Sequence, residues 1–195
     1  MTCGNVCFEA VANDLLVAGA RVVVAYSAFE AEAILSGLRP FKVQQVRFEG
    51  EAHVVLGHHS HILRGIEMHR GRPIFHGLGN GVVVTRALSP AQDHPARAAW
   101  ALKRRELFGF EPDPDYPLYP FHPEAKNVIV GEIDVASDGT CLAAFRTFWV
   151  EPSGRPIPAP RGAGGEAVAE YVARISAGAG FVTRFEWAGE RVVCA

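Results

Sequence analysis

A short apolar run, Val54 to Leu56, ends at Gly57 and is followed at once by a cluster of histidines. Six of the eight histidines in the chain lie between positions 53 and 76, and three stand in the stretch Gly57-His58-His59-Ser60-His61. A run of this length bounded by glycine predicts a buried strand. The sequence therefore places a cluster of histidines just past the end of a strand.

Imidazole binds divalent metals at neutral pH because its pKa near 6.5 leaves the neutral form available. In an extended chain, His59 and His61 would point to one side and His58 to the other. This spacing predicts that His59 and His61 form a pair of metal ligands. A pair of hydrogen-bonded loop histidines is the alternative that the spacing leaves open. His53 and His69 are expected to be ordinary hydrogen-bonded histidines.

Length and composition restrict the class of protein. The chain has 195 residues, of which 49% are hydrophobic and 21% charged, values typical of one globular domain with a buried core. Its net charge of -2 argues against a nucleic-acid partner. The sequence has neither an apolar stretch of ~20 residues nor a signal peptide at its start, so the chain as it stands is expected in the cytoplasm. The four cysteines are expected to be free thiols: Cys3, Cys7, Cys141 and Cys194.

Helical and strand patterns alternate along the first fifty residues, which favours an α/β layer arrangement. Further strands are expected at 54–56 and 82–85, with a hairpin that turns at Gly71 between them. The remaining elements are predicted from periodicity and turn residues. The predicted helices are 6–18, 28–38, 96–107 and 166–177, the other strands are 21–26, 43–48, 66–68 and 73–75, the later hairpins are 127–150 and 181–194, and 152–160 is a proline-rich connector.

Two more segments carry side chains suited to a site. Asn80, between two glycines, could orient a substrate oxygen or stabilise a turn, and the sequence leaves both roles open. The segment from Tyr119 to Lys126 combines aromatic, imidazole, carboxylate and amine groups. It is consistent with a binding lip and equally with a packed proline-rich loop.

The residues from Gly57 to Glu67, followed by Gly71-Arg72-Pro73-Ile74-Phe75-His76-Gly77-Leu78-Gly79-Asn80, resemble the signature of the CapA proteins. These are the bacterial capsule or poly-γ-glutamate biosynthesis family, which is similar to the calcineurin-like metallophosphoesterases. The pattern is roughly G-x-H-P-H-v-x-x-G-i-E, then g-k-P-I-f-y-S-L-G-N-f. With weaker similarity downstream, the resemblance covers residues 51–195 and leaves 1–50 as a divergent N-terminal α/β segment.

The resemblance implies an α/β fold, part of a four-layer calcineurin-like sandwich with C-terminal hairpins. It implies that His59 and His61 bind a divalent metal (Mn, Fe or Zn, with two ions if the ligand set is complete), that His58 and Asn80 act in catalysis, and that Glu67 lines the site. The implied substrate is a polyanionic polymer or a phosphorylated small molecule, with capsule biosynthesis machinery as a partner. Family members are often anchored in the membrane or found at the cell surface.

The chain also departs from the family pattern. Ser60 replaces the usual proline, Gly77 the usual serine and Gly81 an aromatic residue, and the early aspartate and histidine motifs of the family are absent before residue 51. Two alternatives follow. One is a non-catalytic or truncated relative, in which exposed strand edges would promote self-association. The other is a stand-alone phosphoesterase in which Asp14, Asp93, His94 or His122 replaces the lost ligands.

Overall fold

The computed structural model describes residues 22–25, 53–58, 60–85, 95–103, 106 and 109–195. The strands of its first sheet are β1 (Val22–Ala25), β2 (Val54–Gly57), β3 (Ile66–His69) and β4 (Arg72–Phe75). Their order across the sheet is β1-β2-β4-β3. Strands β1, β2 and β4 are parallel, and β3 is antiparallel to β4. The segments that follow β2 and β4 therefore leave the sheet at the same edge.

The hairpin between β3 and β4 turns through two residues with left-handed backbone. Arg70 has φ 52° and Gly71 has φ 76°. A two-residue turn of this kind matches the twist of the flanking strands. The structure confirms the predicted hairpin, including the turn at Gly71, and it confirms strands at both 21–26 and 54–56.

The second sheet is wholly antiparallel and contains both predicted C-terminal hairpins. The segment 152–160, predicted to be a proline-rich connector, contains the three-residue strand Pro156–Pro158. This strand pairs with the end of the strand Cys141–Val150. Proline is tolerated there because an edge strand leaves one row of amides outside the ladder. The strands are β5 (Asn127–Val135), β6 (Cys141–Val150), β7 (Pro156–Pro158), β8 (Phe185–Ala188) and β9 (Arg191–Cys194).

Two α-helices and a 3-10 turn complete the described elements. Helix α1 is Pro95–Leu102, the 3-10 turn is Pro123–Lys126, and α2 is Gly165–Gly178. Helix α2 follows the predicted amphipathic pattern, because Val168 and Val172 are buried and Ile175 packs against the same core. Helix α1 covers positions 96–102 of the predicted helix 96–107. Lys103 is a turn residue and Glu106 is helical, whereas residues 104, 105 and 107 lie outside the described residues.

The predicted strand at 82–85 is wrong. These residues form no strand, and the side chains of Val82 and Val84 are 76% and 56% exposed. Gly79, just before this segment, has left-handed backbone with φ 68°. Thr85 donates a backbone hydrogen bond to the Leu118 carbonyl at 2.9 Å. Among the described residues the apolar run has no strand partner, and it lies beside an irregular loop.

One core joins the first sheet, the second sheet and α2. Phe75 of β4, Phe145 of β6 and Val172 of α2 are almost completely buried within it. A smaller cluster contains Tyr119 and Phe121. Cys141 and Cys194 are buried free thiols, as predicted, whereas Cys3 and Cys7 lie outside the described residues.

The C-terminal half also closes the free edge of the first sheet. The amide of Ile66 donates to Ser176 Oγ at 3.0 Å, and that of Met68 donates to Thr183 Oγ1 at 3.1 Å. Two hydroxyl groups thus occupy the place of a further strand, which protects β3 from unwanted pairing.

The helices predicted at 6–18 and 28–38 and the strand predicted at 43–48 lie outside the described residues. The four-layer calcineurin-like sandwich stays a prediction. Among the helices that the structure describes, none has the length and apolar character needed to span a bilayer.

Candidate functional site

The histidine-rich and glycine-rich segments run side by side beyond the carboxyl ends of β2 and β4. His76 donates its amide to the Gly65 carbonyl at 3.1 Å, and Arg64 donates to Gly77 at 2.9 Å. Leu63 and Leu78 form an isolated antiparallel bridge. The result is a two-stranded ribbon at the edge of the sheet where ligands of open α/β sheets commonly bind.

Close backbone contacts explain why glycine ends β2. A Cβ atom on Gly57 would lie 2.4 Å from the carbonyl oxygen of His76 and 2.8 Å from that of Phe75. Backbone atoms of a neighbouring strand cannot move aside at low cost. The strand must therefore end in glycine for His58 to begin the loop directly beside His76.

Two departures from the family pattern are linked in space. A Cβ atom on Gly77 would lie 2.7 Å from Ser60 Oγ and 2.7 Å from Arg64 Cγ. Ser60 is held in this place because its hydroxyl donates to the Ile62 carbonyl at 2.6 Å. Ser60 and Arg64 together therefore leave little room for a side chain at position 77.

His61 is presented at the surface by a turn. Strand β2 ends at Gly57, and His61 has left-handed backbone with φ 54°. The extended conformation assumed for residues 59–61 is therefore wrong for His61. The exposed His61 ring stacks on the buried ring of Phe121, with centroids 5.1 Å apart and planes 21° apart. His59, its predicted partner, lies outside the described residues, and half-buried His58 follows β2 directly.

Asn80 connects His61 to the protein interior. Its side chain is buried, with 1% exposure. Its Oδ1 atom lies 2.8 Å from His61 Nδ1, and its Nδ2 atom donates to the His61 carbonyl at 3.2 Å and to the Tyr119 hydroxyl at 3.0 Å. The structure therefore gives Asn80 a role that the sequence did not suggest, which is to hold the ring of a neighbouring histidine.

These contacts determine which ring nitrogen of neutral His61 carries the hydrogen. A backbone carbonyl can only accept a hydrogen bond, so the contact with the His61 carbonyl favours the amide nitrogen of Asn80 on that side. Oδ1 of Asn80 then faces the ring and requires a hydrogen on Nδ1. In neutral His61 the lone pair therefore lies on Nε2, the arrangement in which histidine ligates metals while donating its other N–H.

A second group of titratable side chains lies on the β3–β4 hairpin. Glu67 contacts His76 Nε2 at 3.0 Å and His69 Nδ1 at 3.3 Å. The ring of His76 also stacks on Phe181, at 4.7 Å between centroids. Burial lowers the pKa of His76, although Glu67 opposes the shift. The sequence did not predict the contact between Glu67 and His76. The hairpin register explains it, because Glu67 pairs with Ile74 and position 76 is therefore diagonally opposite position 67.

The segment 119–126 is a packed loop whose aromatic residues reach the site. Tyr119 and Phe121 are buried and pack edge to face, 4.9 Å apart. His122 caps the 3-10 turn, because its Nδ1 accepts from the Glu124 amide at 3.1 Å. Capping this turn is a different role from the metal ligation considered for His122. The other three residues considered with it, Asp14, Asp93 and His94, lie outside the described residues.

Within the described ranges, no group of three or more histidine, cysteine, aspartate or glutamate side chains is arranged to hold a metal ion. His61 fits a ligand role through Nε2. A complete metal centre needs additional ligands, and the pairing of His59 with His61 stays a prediction.

Residues 42–84 match the model of the family described as bacterial capsule synthesis protein PGA_cap. A search of curated proteins found no relative that matches the chain. The matched segment relates the chain to capsule synthesis proteins and supports the CapA resemblance over that range. It contains most of the candidate site, while Tyr119 and Phe121 lie beyond it. The candidate site residues within the match are His58, His59, His61, Glu67, His76 and Asn80.

Proposed function

We propose that this chain carries a CapA-like site for capsule or polyanionic polymer metabolism, in which His61 binds a divalent metal ion. The observation that carries the proposal is the 2.8 Å contact between His61 Nδ1 and Asn80 Oδ1, inside the segment that matches the capsule synthesis family. A metal-binding histidine generally donates its second ring nitrogen to an oxygen acceptor that fixes its orientation. Asn80 supplies such an acceptor.

His61 and His59 are the proposed protein ligands, with imidazole nitrogen suited to Mn, Fe or Zn. A bound ion would act as a Lewis acid toward a phosphoryl or carbonyl oxygen and would activate water. His58, directly after β2, and Glu67, on the adjoining hairpin, are proposed to line the site. Asn80 orients His61 and, being buried, acts on substrate only through that ring.

The proposed substrate is a polyanionic polymer or a phosphorylated small molecule, cleaved or transferred at a phosphate or amide group. Support comes from the family match alone. Partners from a capsule biosynthesis machinery are proposed on the same ground.

The test is metal-dependent turnover by the purified chain. Hydrolysis of a generic phosphodiester and of a γ-glutamyl peptide would be measured with added Mn²⁺, for the native chain, His61→Ala and His122→Ala. His122 is the matched control because its Nδ1 caps a turn. Turnover lost in His61→Ala and kept in His122→Ala supports the proposal. Turnover that His61→Ala leaves unchanged would overturn the role of His61.

A non-catalytic relative of the family is the competing function. It is favoured by the lack of a three-ligand group within the described part of the chain. Absence of turnover on both substrates, with the native chain folded and Mn²⁺ present, would support this alternative.

A further inference from the structure

We propose that Tyr119 is a positioning residue for this site, acting through Asn80 to select the tautomer of His61. The inference concerns the same site and rests on the proposed function only for its metal-binding readout. Tyr119 lies outside residues 42–84, the segment that matches the capsule synthesis family.

The first step is the direction of the Tyr119 hydroxyl. That hydroxyl donates to the Ala125 carbonyl at 2.7 Å. The phenol has one hydrogen to give, so its lone pairs are what face Asn80. Burial raises the pKa of Tyr119 to about 12, which keeps the hydroxyl protonated at neutral pH. The Tyr119 oxygen is therefore an acceptor on the Asn80 side.

The second step is the orientation of the Asn80 amide. Two acceptors, the Tyr119 hydroxyl and the His61 carbonyl, both contact Nδ2. The two hydrogens of Nδ2 satisfy both acceptors, and Oδ1 then faces His61 Nδ1. A flipped amide would place Oδ1 against two acceptors, which a buried site does not tolerate. Tyr119 thus contributes one of the two contacts that exclude the flip.

The third step reaches the ring of His61. The fixed Oδ1 accepts from Nδ1, so neutral His61 keeps its hydrogen on Nδ1 and its lone pair on Nε2. Phe121, which packs on Tyr119, also stacks on His61 and limits rotation of its ring. The same buried loop thereby determines both the orientation and the tautomer of the exposed imidazole.

Tyr119→Phe tests this inference because it removes the hydroxyl and keeps the ring. Tyr116→Phe is the matched control, since it makes the same change in the same loop, where the Tyr116 ring packs under Lys126 Nζ at 4.2 Å. Side-chain ¹⁵N NMR near pH 8 reports the tautomer of neutral His61 in the full chain without any metal. The native chain and Tyr116→Phe are expected to hold the hydrogen on Nδ1, and Tyr119→Phe is expected to give a mixture of tautomers.

Asn80→Ala tests whether Tyr119 acts through the amide. This variant removes the group that joins Tyr119 to His61, so adding Tyr119→Phe to it should not change the tautomer further. Zn²⁺ affinity gives a second readout, with a loss of about 10-fold expected in Tyr119→Phe, the lower end of the range for residues that orient a ligand.

The inference is overturned if native His61 carries its hydrogen on Nε2. It is also overturned if folded Tyr119→Phe keeps the native tautomer. Because the tautomer is measured without metal, a native chain that fails to bind Zn²⁺ contradicts the proposed function and not the role of Tyr119.

Discussion

The buried amide of Asn80 holds the exposed ring of His61, with Oδ1 accepting from Nδ1 at 2.8 Å. This contact joins a surface histidine to the interior through a side chain that is 1% exposed. Asn80 is therefore expected to matter for stability as well as for the site.

Replacing Asn80 with alanine leaves the Tyr119 hydroxyl and the His61 carbonyl without their amide donor. Because the lost contacts are buried or partly buried, the free energy of unfolding is expected to fall by about 2 kcal/mol. Urea denaturation measures the change. Ser137→Ala, in an exposed turn, is the control and should stay within about 0.5 kcal/mol of the native chain. Equal stabilities for the two variants would contradict the hydrogen-bond account.

Gly57→Ala is expected to lower the free energy of unfolding by about 3 kcal/mol, because the new Cβ would lie 2.4 Å from the carbonyl oxygen of His76. Gly81→Ala is the matched control, since a Cβ there meets no described atom within 4 Å. It should change stability by no more than about 0.5 kcal/mol. Thermal or urea unfolding of both variants checks the difference, and a tolerated Gly57→Ala would show that β2 and β4 are not packed as closely as the structure has them.

Gly77 and Ser60 are expected to be energetically coupled. Gly77→Ala alone should destabilise the fold by about 1–2 kcal/mol, because its Cβ would lie 2.7 Å from Ser60 Oγ. Adding Ser60→Gly removes that contact and should restore part of the loss. A double-mutant cycle is expected to give a coupling of at least about 0.5 kcal/mol. Strictly additive effects would mean that the two departures from the family pattern are independent.

Stability should fall as the pH drops from about 7 to 5, partly through His76. Burial lowers the pKa of His76 in the folded state below its ordinary value of 6.5. The unfolded chain then binds more protons in this window, so the free energy of unfolding rises with pH through 6.5 and is reduced below it.

His76→Gln removes this titration while keeping an N–H group that can donate to Glu67. The variant should show a shallower dependence of unfolding free energy on pH between 5 and 7. Glu67→Gln should instead make this pH dependence steeper. The Glu67 carboxylate raises the pKa of His76 against the effect of burial, so its removal lowers that pKa further. If His76→Gln kept the native pH slope, another group would be responsible for it.

Among the described residues, sequence patterns predicted the regular elements where local signals were strong. The turn at Gly71 and the apolar face of α2 follow from glycine conformation and helical spacing, which depend on neighbours in the chain. The apolar run at 82–85 predicted a strand that does not form, because such a run is buried only if a partner lies next to it. The neighbour of this segment is the loop at Leu118, which is distant in sequence, so residues 82–85 alone could not predict it.

The candidate site was only partly predictable for the same reason. The histidine cluster and Asn80 were apparent from composition and spacing. Their geometry depends on the left-handed turn at His61 and on Tyr119, nearly forty residues from Asn80 along the chain. Such long-range contacts leave no periodic signal in the sequence. The alternation of side chains along an extended chain did not apply to His61, because its backbone is left-handed.

The most direct test of the account is Zn²⁺ and Mn²⁺ binding by the full chain, measured by elemental analysis after purification and by calorimetric titration. The account predicts bound metal in the native chain and in His122→Ala, with loss of binding in His61→Ala and a loss of about 10- to 100-fold in affinity in Asn80→Leu. A native chain that binds no metal, or a His61→Ala variant that binds as well as the native chain, would contradict the claim that His61 is a metal ligand.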